Sequence, residues 1–112
     1  MKSYALVTGA SSGIGLQICH SLATRGYNVI LTSRSEDKLK SISEQIRSKY
    51  KVESNYFPTD LADNNGPQNI FNFCRLNNYH IDILINNAGY ALPESFEKNS
   101  VEDEEKCIRV LG

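Results

Sequence analysis

Thr8-Gly9-Ala10-Ser11-Ser12-Gly13-Ile14-Gly15 decides how this chain is read, because three glycines fall within seven residues directly after a short apolar run. That run, Tyr4-Ala5-Leu6-Val7, has the composition of a strand buried on both faces. Each glycine has a physical assignment. Gly9 permits the tight turn out of the strand, Gly13 lets backbone come close to a pyrophosphate, and Gly15 lets the following helix sit tightly on the sheet. Ser11, Ser12 and Ile14 fill the rest of the turn, and the helix N-terminus behind it offers free N–H groups and a partial positive charge to phosphates. No Gly-Lys-Ser/Thr follows, so the turn is not a P-loop, and its spacing differs from the common G-x-G-x-x-G fingerprint.

Outward from the turn, strand-like and helix-like segments alternate without repeat, linker or low-complexity stretch, which is the α/β pattern. Ile14, Ile18, Leu22 and Ala23 recur at helical spacing, and Arg25-Gly26 supplies a cationic end and a glycine cap. Val29-Ile30-Leu31 reads as a second buried strand. Ser35 is placed to cap a helix whose first turn holds Glu36 and Asp37 and whose apolar stripe is Leu39, Ile42, Ile46 and Tyr50. A third strand is expected over Val52–Phe57, stopped by Pro58, and Pro67 opens a helix bearing Ile70, Phe71, Phe73 and Cys74. Ile81–Ile85 is the fourth strand, and a last helix is expected from about Ser100 to Leu111.

Composition limits the function classes. Forty per cent apolar residues, 22% charged residues and a net charge of -1 describe a globular protein and give no footprint for nucleic acid. The longest apolar runs, such as Ile83–Ile85, are too short for a membrane span, and no signal-peptide core follows Met1-Lys2, so a cytosolic location is expected. Cys19, Cys74 and Cys107 are odd in number and lack CxxC spacing, which suggests reduced structural cysteines. His20 and His80 are isolated and read as ordinary helix and loop residues. At 112 residues the chain is one domain at most, short of the about 250 residues of many parallel-sheet enzymes.

Thr8–Gly15 resembles the TGxxxGxG motif of the short-chain dehydrogenase/reductase family. Asn86-Asn87-Ala88-Gly89 after the fourth strand is similar to its NNAG motif, and Asp60, in Thr59-Asp60-Leu61, matches its adenine-contacting aspartate. The resemblance covers the whole chain, about the first half of a family member. It implies a Rossmann-like doubly wound parallel sheet of order 3-2-1-4, truncated after about four strands, with residues 1–112 forming a partial dinucleotide-binding domain. Its cofactor-binding residues are then Gly9, Ser11, Ser12, Gly13, Ile14, Gly15, Ser33, Arg34, Asp60, Leu61, Asn87, Ala88 and Gly89. Asn86 also carries a structural reading, since a side-chain amide there can steady neighbouring strand ends.

The end of the second strand bears on the choice of cofactor. An acidic residue there selects NAD by bonding the ribose hydroxyls. This chain has Ser33, which repels no 2'-phosphate, followed by Arg34, whose fork of donors suits one. NADP is favoured over NAD, and the resemblance implies the same, because a basic residue at this place marks NADP-preferring members. Ser12 occupies the position where some of those members carry a second basic residue.

The catalytic chemistry that the resemblance implies uses a tyrosine with a lysine four residues later, a serine and an asparagine, matched in pKa for proton transfer near neutrality. None of Tyr4, Tyr27, Tyr50, Tyr56, Tyr79 or Tyr90 has Lys four positions on, and Ile108–Gly112 holds no asparagine. No catalytic residue and no metal ligand is assigned. The expected function is NADP(H) binding, with the resemblance implying NADPH-dependent carbonyl reduction or alcohol oxidation as the family reaction and no turnover expected of this truncated chain; the alternative is a non-catalytic dinucleotide-binding or regulatory module. A fourth strand left at the sheet's rim would be an open apolar edge, so self-association or pairing with a complementary segment is also expected.

Overall fold

A computed structural model describes residues 3–11, 13–88, 100–103 and 108–111. The elements follow in the order β1 (Ser3–Thr8), α1 (Gly13–Thr24), β2 (Asn28–Thr32), α2 (Glu36–Tyr50), β3 (Ser54–Tyr56), α3 (Gly66–Leu76), β4 (His80–Asn86), β5 (Ser100–Asp103) and β6 (Ile108–Leu111). The first four strands are parallel in the order β3-β2-β1-β4, with Leu6 of β1 level with Ile30 of β2 and Leu84 of β4. This is the doubly wound α/β arrangement expected from the alternating segments.

Strand geometry sends successive side chains to opposite faces, and the two faces carry separate cores. Leu6, Ile30 and Leu84 pack with Ile70 and Cys74 of α3 on one side. Val7, Val29, Leu31 and Ile85 pack with Cys19 and Ala23 of α1 and Leu39, Ile42 and Ile46 of α2 on the other. Burial pushes the Cys19 and Cys74 thiols up to about 12, so both remain protonated packing groups at neutral pH. Cys107 lies outside the described residues. His20 Nδ1 sits 2.9 Å from the Tyr50 hydroxyl, joining α1 to α2, and His80 pairs with Asp82 at the exposed start of β4.

Several boundaries and faces depart from the sequence reading. The expected stripe on α1 is rotated: Gly15, Cys19 and Ala23 form its buried face, Ile18 and Leu22 flank it, and Ile14 is 67% exposed. Small residues win that face because they let the helix axis approach the sheet. The third strand starts at Ser54 rather than Val52, since Lys51 ends α2 in the left-handed conformation (φ 58°, ψ 33°) and the next two residues complete the reversal. Ser35 is the N-cap residue of α2, yet its side chain makes no capping bond.

The expected helix over Ser100–Leu111 is instead a pair of antiparallel strands. β6 also pairs antiparallel with β4, so the sheet order continues as β1-β4-β6-β5 and the edge of β4 is covered within the chain. The physical reason lies in the segment itself. It has few apolar positions at helical spacing, whereas a strand beside β4 satisfies the unpaired N–H and C=O groups of an apolar edge.

Candidate functional site

The site begins where β1, β2 and β4 end, at Thr8, Thr32 and Asn86, on the side of a parallel sheet where its strands' carboxyl ends and a reversal of strand order create a crevice. Gly9 turns out of β1 at φ +62° and Gly13 enters α1 at φ +60°, conformations that side chains rarely adopt. A Cβ at Gly13 would meet nothing within 4 Å, so this part of the backbone is open to an approaching group. Gly15 is constrained differently. A Cβ there would lie 2.1 Å from the Gly9 carbonyl oxygen and 2.8 Å from Asn87 Nδ2, so the helix rests directly on the turn that precedes it.

Thr8 ties this turn to the motif after β4. Its buried hydroxyl accepts the Ala88 N–H at 3.0 Å and lies 3.0 Å from Asn86 Oδ1, toward which it donates. Asn87 Nδ2 donates to the Gly9 carbonyl at 3.3 Å. Asn86 and Asn87 therefore both serve as clamps between strand ends, and Asn87 touches the glycine turn directly. On the other side, the Ala10 N–H donates to the Thr32 carbonyl at 3.2 Å, and the Thr59 N–H donates to Ser33 O at 2.9 Å. Backbone bonds thus fix the glycine turn, the end of β2 and the Asp60 loop relative to one another.

Between these three segments is a cavity of about 830 Å³, within the range of small-molecule sites. Of the residues expected from sequence, Gly9, Ser11, Ser33, Arg34, Asp60, Leu61 and Ala88 line it. Gly13, Ile14, Gly15 and Asn87 do not line it. Gly13 and Ile14 are exposed at the start of α1, whereas Gly15 and Asn87 pack against the Gly9 carbonyl. Ser12 and Gly89 lie outside the described residues. Asp60 is half-buried and its Oδ1 accepts the Ala62 N–H at 2.9 Å, which shapes the loop, and Leu61 is also part of the core under α3.

The lining also includes Thr32, Ser35, Lys38, Thr59 and Ala62, which the sequence reading did not single out. A further missed position is Gly66, where a Cβ would stand 2.0 Å from the Asp60 carbonyl oxygen. Its signal was present as a glycine immediately before Pro67, at the start of α3. The two cations on the lining, Arg34 and Lys38, are exposed and make no ion pair with any described residue.

A glycine turn clamped to an Asn-Asn-Ala motif beside a cavity at the strand ends defines a dinucleotide-binding class of α/β protein. The short chain dehydrogenase family model matches residues 3–111, and the chain belongs to that family of oxidoreductases. It is 35% identical over 114 residues to a very-long-chain 3-oxoacyl-CoA reductase of Eremothecium gossypii, covering 96% of this chain and 31% of that protein. Among solved structures, it is similar to an L-sorbose reductase of Gluconobacter frateurii complexed with NADPH and L-sorbose. The TM-score is 0.73 and the identity 32%, over 93% of this chain and 38% of that one. A short-chain dehydrogenase of Sphingobium yanoikuyae in complex with NADPH gives a TM-score of 0.70 at 32% identity, over 81% of this chain and 35% of that one. The chain thus spans about a third of the length of these relatives.

Proposed function

We propose that these residues bind NADP(H), with the glycine turn holding the pyrophosphate and the cavity receiving the adenosine end. The observation that carries the reading is the junction of β2 and α2. Ser33 leaves the strand end without a carboxylate, and Arg34 lines the adjoining cavity with no ion-pair partner among the described residues. A 2'-phosphate would meet a guanidinium there rather than a negative charge.

The residues fit such a cofactor in shape as well as charge. The open backbone at Gly13 admits a pyrophosphate, and the start of α1 adds unpaired N–H groups. Ser11 and the exposed Ile14 flank that approach, Ser12 belongs to the same turn by sequence, and Asp60 with Leu61 forms the far wall for adenine. Ala88 lines the cavity toward the nicotinamide end, and Gly89 follows it in sequence. Bound there, the nicotinamide would supply or accept a hydride. The whole-protein reaction that this supports is NADPH-dependent carbonyl reduction or the reverse alcohol oxidation, in keeping with relatives named as reductases.

Binding, not turnover, is the activity proposed for these 112 residues themselves, since no tyrosine among them has a lysine four positions later. That observation favours a second reading, a non-catalytic dinucleotide-binding module. Titration of the chain with NADPH and separately NADH, followed by the cofactor's fluorescence because the sequence has no tryptophan, tests the binding step. Saturable binding with tighter NADPH is expected. Absence of binding to either cofactor by folded protein refutes the proposal.

A further inference from the structure

We propose that Lys38 is a second specificity-determining residue, reading the phosphate on the adenosine ribose together with Arg34. The inference rests on the NADP(H) reading above and extends it to a side chain in the first turn of α2. Lys38 lines the cavity alongside Ser33, Arg34 and Ser35. Helical side chains lean toward the N-terminus, so an ammonium on the third residue of Glu36–Tyr50 is directed back over the β2–α2 junction, where Arg34 stands.

Three further observations fit a phosphate bound between them. Neither cation forms an ion pair or side-chain hydrogen bond with any described residue, so no described carboxylate is paired with them. Asp60 is the one carboxylate among the described lining residues, and its Oδ1 accepts the Ala62 N–H. The Ser35 hydroxyl, freed from capping α2, lines the same cavity, while Ser33 Oγ accepts the Ser35 N–H at 3.2 Å and holds the junction in shape. A dianionic phosphate monoester is the ligand chemistry that uses two cations and a hydroxyl at once. A ribose with free hydroxyls uses neither cation.

The two residues differ in kind. Arg34 offers a planar fork suited to paired oxygens, and Lys38 a mobile point charge. Lys38 is exposed, so its neutralisation leaves the core untouched. The test compares NADPH and NADH affinities by cofactor fluorescence for the native chain, Lys38→Gln, Lys38→Arg and Lys38→Glu, with far-ultraviolet circular dichroism to confirm equal folding. Lys38→Gln is expected to weaken NADPH roughly three- to tenfold, as for an exposed charge pair with a multiply charged partner, with NADH nearly unchanged. Lys38→Arg should retain the discrimination and Lys38→Glu should reduce it below that of Lys38→Gln. If the native chain prefers NADPH and Lys38→Gln leaves the NADPH-to-NADH ratio intact, the role of Lys38 is overturned while the cofactor reading stands. If the native chain shows no preference, the cofactor reading itself fails and this inference falls with it.

Discussion

Replacing Gly15 with alanine isolates the contact on which the glycine turn depends. The added methyl would lie 2.1 Å from Gly9 O and 2.8 Å from Asn87 Nδ2. Ordinary contact needs about 3.5 Å, so either α1 or the turn must withdraw by more than roughly 1 Å. The nearest obstacle is backbone, which no rotamer change relieves. Overpacking of this kind costs about 1–3 kcal/mol, and the upper end applies. Alanine returns about 1 kcal/mol through helix propensity, leaving a net loss of roughly 2 kcal/mol. For a domain of this size that lowers Tm by roughly 10 °C, measurable by thermal melting followed by circular dichroism. Gly13→Ala is the matched control. Nothing lies within 4 Å of its added methyl, so only the positive φ is penalised, at about 1 kcal/mol. A Gly15→Ala protein that melts at or above the native temperature would refute the close-contact argument, because propensity alone would then govern the site.

Thr8→Val removes the hydroxyl that accepts the Ala88 N–H while keeping the strand's shape, and is expected to lower the urea-unfolding free energy by about 1–3 kcal/mol, with Thr8→Ser largely restoring it. Arg34→Ala should weaken NADPH roughly tenfold or more in the fluorescence titration and NADH far less; equal losses would show that Arg34 does not meet the 2'-phosphate. The buried thiols make an alkaline prediction. Burial raises Cys19 and Cys74 from 9.0 to about 12 in the folded chain, so between those values the unfolded chain loses protons that the folded one keeps. Stability is therefore full below pH 9.0 and falls as pH rises toward 12, by about 1 kcal/mol per thiol for each pH unit. Tyr4, held above the usual phenol range by burial and by its bond to Glu53, adds to the loss above pH 10.0. Replacing both cysteines with alanine should flatten the slope of stability against pH, read from urea midpoints; an unchanged slope would assign the alkaline loss elsewhere.

The parallel 3-2-1-4 sheet and a glycine turn beside a cavity at its strand ends were readable because both depend on local patterns: short β-rich runs, helical spacing and glycines at strand ends. What escaped the sequence depends on contacts between elements. Bulky residues suggested an Ile14–Ile18–Leu22–Ala23 face for α1, but the approach of the helix to the sheet selects the small Gly15–Cys19–Ala23 face and leaves Ile14 exposed. Gly66 looks like punctuation before a proline until its closeness to the Asp60 carbonyl appears, and then it becomes a support for the Asp60 loop. Lys38 reads as one more cation on a polar helix, because spacing along α2 gives its neighbours on the helix and not the cavity beyond the first turn. The hairpin of β5 and β6 is hidden for the same reason. A four-residue strand carries little periodicity of its own, and its pairing is decided by the unsatisfied edge of β4, more than twenty residues earlier in the chain. The residues that shape the candidate site are thus of two kinds: those whose backbone conformation announces them, such as Gly9 and Gly13, and those whose place in it exists only once α2 and the Asp60 loop stand on either side of the cavity.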